Sequence, residues 1–150
     1  MSIPLREAAL AAIASRLTTS LPDVPLERAR RAPVDTDTEA LPKLVLHGED
    51  WSADDTQEPN CTHWTIGFSV AGYTRATSDI AAERALSALH ARVVAALSAW
   101  TPDTPGLGDV VEQGAQFRLY DADESAKPAG EFAAQFSILA IGPTGSPYAP

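Results

Sequence analysis

The chain has 150 residues, of which 45% are apolar, and a formal net charge of −9 at pH 7. A chain of this length is expected to form one domain with its own core, without disulfides or metal. The charge argues against binding nucleic acid by phosphate neutralisation, and no apolar run reaches the about 18 residues of a membrane span. The single cysteine, Cys61, excludes an internal disulfide and is typical of a reducing compartment.

The opening segment predicts an amphipathic helix and not a signal peptide. Ser2 and Pro4 form a helix-start signal, a capping hydroxyl followed by proline in the first turn. Pro22 predicts that the helix ends near residue 21. One apolar stripe recurs at helical spacing: Leu10, Ile13, Leu17 and Leu21.

Two strands and an acid-rich segment follow. Residues 26–32 lie between two prolines, which favours an edge strand. Residues 34–40 are predicted to form a polar loop, and residues 43–47 a second strand. Residues 49–58 contain no base and are predicted to form a solvated loop or hairpin tip around Trp51. The acids of this segment are Glu49, Asp50, Asp54, Asp55 and Glu58.

The clearest strand is 63–73, because its residues alternate strictly between apolar and polar. Its apolar face contains Trp64, Ile66, Phe68 and Val70. A long helix, capped by Ser78 or Asp79, follows and ends near residue 100, and its stripe is Leu86, Leu89, Val93, Leu97 and Trp100. Two further strands are predicted at 110–120, with a bulge at Gly114, and at 132–141. The connection 121–130 is polar.

These elements predict an α+β fold with two layers. A mostly antiparallel sheet of four to five strands has one apolar face, and the two amphipathic helices cover that face. The domain is expected to span residues 1–141. Residues 142–150 have no packing pattern and are expected to form a flexible C-terminal tail.

Catalytic and metal-binding patterns are missing from the sequence. His47, His63 and His90 are scattered, and the pair Cys61 and His63 falls short of the three or four ligands of a zinc site. No G-x-S-x-G motif occurs, and "GPTGS" lacks the lysine of a phosphate loop. We therefore expect no enzyme activity, no bound metal and no cofactor.

Three arginines lie within four residues of this acidic chain: Arg28, Arg30 and Arg31. They are either solvated at a strand edge or contact carboxylates, in the same chain or in a neighbouring copy, because the guanidinium fork matches a carboxylate. In the second case the cluster serves assembly and not DNA binding.

The order of segments resembles the tail terminator family (also called tail completion or minor tail proteins) of long-tailed phages and gene transfer agents. The resemblance rests on "REAALAAIASRLTTSLPDV", "ERARRAPVDTDTEALPKLVL", "TIGFSVAGYTRATSDIAAERALSALHARVVAAL" and "EFAAQFSILA". It covers most of the chain and includes no catalytic signature.

The resemblance implies a structural virion protein that is assembled in the bacterial cytoplasm. Members of the family form a ring, commonly of six copies, that caps the head-proximal end of the tail tube and joins it to the neck. The implied partners are other copies of the chain, the tail tube protein and a neck or head-completion protein. DNA passes through the lumen without specific binding, and no membrane is involved.

Two hypotheses about residues follow. Arg28, Arg30, Arg31 and Trp51 are candidates for the interface with a subunit or partner. The acids of 49–58 are candidates for a surface that faces the DNA path, where they would repel phosphate.

Other functions stay open at this point. Another head–tail connector or neck protein of similar size would show a similar pattern, and a small-molecule-binding α+β domain could use the groove between sheet and helices. An RNA-binding sheet would need basic and aromatic residues together on its open face, and residues 63–71 do not supply them.

Overall fold

The computed structural model describes residues 2–98, 100–121 and 127–150. Within these ranges the elements are α1 (Leu5–Ser20), β1 (Leu26–Arg28), β2 (Lys43–Glu58), β3 (Cys61–Arg75), α2 (Asp79–Ser98), β4 (Leu107–Asp121) and β5 (Pro128–Pro143). The strands form one sheet in the order β1-β2-β3-β5-β4. Both helices lie on one face of this mostly antiparallel sheet, which confirms the predicted α+β class.

The core lies between the helices and one face of the sheet. Alternation along β3 places Trp64, Ile66, Phe68 and Val70 on this face, and all four are buried. β5 pairs with β3 along its whole length and contributes every second residue to the same face, including Phe132 and Phe136. The rings of Phe68 and Phe136 stack with their centroids 5.4 Å apart. The alternation of apolar and polar residues therefore determines which face of the central strands β3 and β5 is buried.

The helices bury the stripes that their sequences predict, except for Trp100, which lies beyond the end of α2 at Ser98 and is only partly buried. In α1 the leucines and Ile13 of the stripe are at most 5% exposed. α2 starts with a cap, because the backbone N–H of Ala81 donates to Ser78 Oγ at 3.2 Å. The cap expected at α1 is wrong: the helix begins after Pro4, with no side-chain hydrogen bond at its N-cap. Pro4 itself is the N-cap residue, with a φ of −55° and a ψ of 138°, so no hydroxyl occupies the capping position.

β1 is shorter than predicted and runs parallel to β2, pairing Leu26 with Leu44 and Arg28 with Leu46. Ala29 has a φ of 54°, and this left-handed conformation ends the strand. The parallel direction is possible because residues 29–42 form a connection long enough for a crossover. The strand does lie at an edge of the sheet, as predicted.

The acid-rich segment is an exposed strand that leads to a hairpin turn, so of the two predicted alternatives the solvated loop is wrong and the end of a hairpin is the closer description. β2 continues to Glu58 and forms a hairpin with β3, in which Trp51 pairs with Ile66 and Glu58 with Cys61. Asn60 has a φ of 59° in the turn. Since β1 covers only residues 44–46, the outer edge of β2 from 49 to 58 has no strand partner among the described residues. We call residues 49–58 the acidic arm.

The second edge of the sheet is β4. Its register shifts between Glu112 and Gly114, which has a φ of 143°, so the predicted bulge is confirmed. Of the predicted connection 121–130, residues 122–126 lie outside the described residues, and β5 already begins at Pro128.

The C-terminal segment is hydrogen-bonded to the N-terminal residues of the chain. β5 runs to Pro143, past the predicted boundary at 141. The backbone N–H of Leu5 donates to the carbonyl of Pro147, and that of Ala149 donates to the carbonyl of Ile3, both at 2.8 Å. The flexibility of residues 142–150 stays a prediction.

The packing of β3 against β5 yields a test of the core. A methyl group at Gly72 would overlap the fully buried ring of Phe132, its cross-strand partner. We expect Gly72→Ala to lower the free energy of unfolding by about 1–3 kcal/mol, as overpacking does. Urea unfolding followed by circular dichroism measures the change.

Gly108→Ala is the matched control, because its methyl group would lie 3.4 Å from Leu139 Cβ, an ordinary contact distance. The control should stay within about 0.5 kcal/mol of the wild type. Equal effects of the two substitutions would contradict this account of the core.

Candidate functional site

Two of the three clustered arginines contact carboxylates of their own chain. Arg28 donates from its two terminal nitrogens to the two oxygens of Glu7, at 2.9 and 3.1 Å, and so joins β1 to α1. The hydrogen bonds from Arg28 hold the pKa of Glu7 below its usual value. Both side chains are at least 36% exposed, so the pair contributes little to stability.

Arg30 lies at the centre of a four-residue charge network. It donates to Glu39 at 2.5 and 2.6 Å and to Glu27 at 2.9 Å. Lys43, which is 8% exposed, donates to Glu39 at 2.7 Å and to Glu27 at 3.2 Å. The hydrogen bonds from Arg30 and then from Lys43 lower the pKa of Glu39 to about 2. Two cations therefore face two carboxylates at the edge of the sheet.

The network holds the crossover 29–42 against β2. Arg30 also donates to the carbonyls of Ala32 and Pro33, at 2.8 and 3.0 Å. Farther along the crossover, Asp37 accepts a hydrogen bond from Arg75 of β3 at 2.6 Å. Arg30 is thus a structural residue in the subunit, which sequence reasoning alone left open.

Arg31 differs from its neighbours. It is exposed and makes no ion pair or hydrogen bond with any described residue. It lines a cleft of about 300 Å³ between α1, β1 and β2, together with Arg6, Arg28, Arg30 and His47. We call this the arginine cleft. It concentrates positive charge on an acidic subunit, and Arg31 is the side chain there with an unused guanidinium.

The acidic arm is exposed along its whole length. Near its start, Glu49 accepts a hydrogen bond from Ser69 at 2.8 Å, and Arg6 donates to the backbone carbonyl of Glu49 at 3.2 Å. Thus the base of the arm is fixed to β3 and to α1.

The outer part of the arm carries both engaged and free carboxylates. The hydrogen bonds that Asp54 accepts from Thr56 and Gln57 lower its pKa to about 2. Within the described ranges, Asp50 and Asp55 have no hydrogen-bonding or ionic partner. Their charge therefore faces solvent or a partner.

Trp51 lies on the side of the arm that continues the core face. Its ring is 5.5 Å from the ring of Trp64, which is 5% exposed. Trp51 itself is 36% exposed. One part of the indole anchors the arm to the end of the core, and the remainder is available to a partner.

Sequence reasoning missed an apolar area on the face of the sheet away from the helices. Leu139 and Ile141 of β5 and Val111 of β4 are 41–46% exposed there. Phe117 and Leu119, on the helix side of edge strand β4, are 51% and 40% exposed. The sequence contained a sign of this area: residues 138–141 are all apolar, so the apolar side chains of this run lie on both faces of β5 and not on the core face alone.

The end of the β2–β3 hairpin brings together three potential metal ligands. Glu58, Cys61 and His63 each offer one ligand atom, and these atoms lie within 4.8 Å of one another. Desolvation is the largest cause that raises the pKa of the Cys61 thiol. The sequence paired Cys61 with His63 but missed Glu58, since that residue was assigned to a loop.

In the described ranges, neither α1 nor α2 is long and apolar enough to cross a membrane.

Comparison with known proteins identifies the fold. No protein-family model and no curated protein matches the chain. A chain of a solved structure described as the virion of a native gene transfer agent particle superposes with a TM-score of 0.56 at 17% sequence identity. The match covers 89% of this chain and 94% of that chain. At 17% identity the likeness shows a shared fold, and the shared fold extends over nearly the whole length of both chains.

The charge network yields a test against pH. Glu39 contributes stability above its ordinary pKa of 4.5 and loses that contribution as the pH falls towards its folded pKa of about 2. We expect Glu39→Gln to lower the urea midpoint at pH 7. The difference from the wild type should shrink below pH 4.5 and vanish near pH 2.

Asp55→Asn is the control, because Asp55 has no hydrogen-bonding or ionic partner among the described residues. Its urea midpoint should follow that of the wild type across the same pH range. A Glu39→Gln effect that is independent of pH would contradict the assigned ion pairs.

Proposed function

We propose that this protein is a structural virion protein without catalytic turnover: a tail terminator. In this proposal six copies form a closed ring that caps the head-proximal end of the tail tube and joins it to the neck, and DNA passes through the lumen. The observation that carries the proposal is the likeness to a chain of a gene transfer agent virion, which spans 89% of this chain and 94% of that one. The segment pattern of the sequence supports the choice of a terminator among virion proteins.

Physical features of the subunit are compatible with a ring. Head-to-tail contacts close into rings when the rotation between copies permits. Such contacts join two different surfaces, and this subunit has a cationic cleft with an unused Arg31 on an otherwise acidic body. Every neighbouring copy therefore offers carboxylates to Arg31. We propose that Arg31 contacts carboxylates across the interface, while Arg28 and Arg30 hold the cleft in shape through their own-chain pairs.

The acidic arm is proposed to face the DNA path. A channel through which DNA slides benefits from repulsion, because phosphate-binding cations would hold the DNA by counterion release. Repulsion acts over only about 8–10 Å at physiological salt, so the carboxylates would have to lie near the lumen wall. Asp50 and Asp55 are free for this role.

Imaging of particles tests the ring directly. Electron microscopy of purified tails should show a closed ring at the head-proximal end, labelled by a tag on this chain. A ring at the neck but away from the tube end would support the alternative of another neck protein. One or two copies per tail, or a purified chain that stays monomeric and binds a small molecule, would overturn the proposal.

A single charge reversal tests Arg31. Arg31→Glu should leave the subunit folded, because no described residue pairs with Arg31, and should block its incorporation into tails. An interface pair that loses one partner costs about 2–5 kcal/mol. Quantitative immunoblotting of purified particles measures incorporation.

Arg84→Glu is the matched control. Arg84 lies on the exposed face of α2 and, like Arg31, makes no ion pair or hydrogen bond with the described residues. Arg84→Glu therefore changes the charge of the subunit by the same amount as Arg31→Glu, at a place away from the cleft. Normal incorporation of Arg31→Glu would show that Arg31 is a solvated residue. Arg30 is unsuitable for this test, because its reversal would break the network with Glu39.

Charge reversal in the arm separates its two roles. If Asp50 and Asp55 face the lumen, converting both to lysine should slow DNA release from particles and leave particle yield unchanged. Glu83→Lys, on the exposed surface of α2, is the control. A loss of particles from the double variant, or from Trp51→Ala, would show instead that the arm grips a neighbouring subunit or the tube.

A further inference from the structure

The end of the β2–β3 hairpin juxtaposes three unlike donor groups. Glu58 is the last residue of β2 and pairs with Cys61, the first residue of β3, across the turn at Pro59 and Asn60. Asn60 has a φ of 59°, a conformation that asparagine tolerates well and that tightens the turn. His63 follows Cys61 at a spacing of two and therefore lies on the same face of the strand. The turn thus brings Glu58 of β2 onto the same face as Cys61 and His63 of β3 and makes one cluster.

The distances suit a single small ion. The three ligand atoms lie within 4.8 Å of one another, and His63 Nε2 is 3.8 Å from Glu58 Oε1. Around a tetrahedral zinc ion, with bonds of about 2.0–2.3 Å, neighbouring donors lie roughly 3.3–3.8 Å apart. The His63–Glu58 distance already falls in that range, and the Cys61 sulfur lies within 4.8 Å of both donors.

His63 supplies an independent indication. Its Nε2 atom is buried and has no hydrogen-bond partner, although the carboxylate of Glu58 lies at 3.8 Å, too far for a hydrogen bond. A buried polar atom without a partner is uncommon in native structures and calls for an explanation such as a bound ion. The atom is oriented towards the same group of donors that would complete the coordination.

The chemistry of the donors selects the metal. One thiolate, one imidazole and one carboxylate make a mixed set of sulfur, nitrogen and oxygen, whereas calcium and magnesium prefer oxygen alone. We propose that Glu58, Cys61 and His63 bind one zinc ion, with the fourth position filled by water or by a ligand from a partner. This proposal departs from the sequence-based expectation of no metal, which counted only two donors.

The surroundings support the site on both sides. Cross-strand pairing places Pro143 beside Cys61 and Ile141 beside His63, so apolar groups flank the donors on the β5 side. On the β2 side Asp54 pairs with His63. Both oxygens of Asp54 are already bound by Thr56 and Gln57, so this residue adds negative charge near the ion without being a ligand.

The proposal does not depend on ring assembly, so it is tested on the purified 150-residue chain in solution. Cobalt(II) is titrated in as a spectroscopic substitute for zinc under reducing conditions. We expect a thiolate-to-cobalt charge-transfer band in the near ultraviolet and the visible bands of tetrahedral cobalt, saturating at one ion per chain. Added zinc should displace the cobalt and remove both signals.

Four variants assign the ligands. Cys61→Ser should abolish the charge-transfer band, and His63→Gln and Glu58→Gln should each weaken cobalt binding by more than about tenfold, the lower range of the loss that removing even a supporting residue causes. His47→Gln is the matched control, a histidine on β2 outside the cluster, and should bind as the wild type does. Circular dichroism confirms that each variant is folded.

Three results of the cobalt titrations would overturn the proposal: the absence of a thiolate band at millimolar cobalt, a band that persists in Cys61→Ser, or a loss of binding in His47→Gln equal to that in the ligand variants. A competition between the wild-type chain and a chromophoric chelator for zinc gives a second readout that needs no variant. Failure of the chain to compete for zinc would overturn the proposal as well.

Discussion

The whole structure depends on the length of the pairing between β3 and β5. β3 pairs with β5 from Cys61 to Arg75 without interruption, and this pairing creates the apolar face that both helices cover. β2 continues along β3 past residue 48 to the hairpin turn, and its residues from 49 onwards are exposed. The acidic arm and the half-exposed Trp51 follow from the length of this hairpin, and the donors Cys61 and His63 lie near its turn on the face of β3 away from the helices.

The charged side chains of the subunit divide into those that are paired within the chain and those that are not. Glu39 and Glu27 engage Arg30 and Lys43, so the most basic stretch of the sequence is largely neutralised at the sheet edge. Among the described residues, unpaired charges remain at separate places, including Arg31 at the cleft, Asp50 and Asp55 on the arm, and Glu83 and Arg84 together on α2. The subunit therefore presents opposite charges at separate places, which suits contacts between unlike surfaces better than a self-complementary interface.

Much of the fold could be predicted from residue spacing. Trp64, Ile66, Phe68 and Val70 marked the buried face of β3, and Leu86, Leu89 and Val93 marked that of α2, because burial enforces these periods. The strand character of the acidic arm could not be predicted, since Asp and Glu disfavour strands and only pairing with β3 overrides that preference. The parallel direction of β1 depends on how the crossover 29–42 is held by Arg30 and Glu39, which no local pattern encodes. Glu58 joined Cys61 for the same reason: its position is decided by a turn and not by sequence spacing.

The two edges of the sheet differ in a way that bears on assembly. An unpaired strand edge invites pairing with another chain, and like charges along it prevent this. The arm carries such charges at Asp50, Asp54 and Asp55 and has no base. β4 exposes Val111, Phe117 and Leu119 instead, and its register is shifted between Leu107 and Val110 and at the Gly114 bulge. Repulsion thus guards the β2 edge, whereas burial of apolar area would favour contact at β4. In a ring of the proposed kind, we therefore expect β4, and not the acidic arm, to pair with a neighbouring subunit.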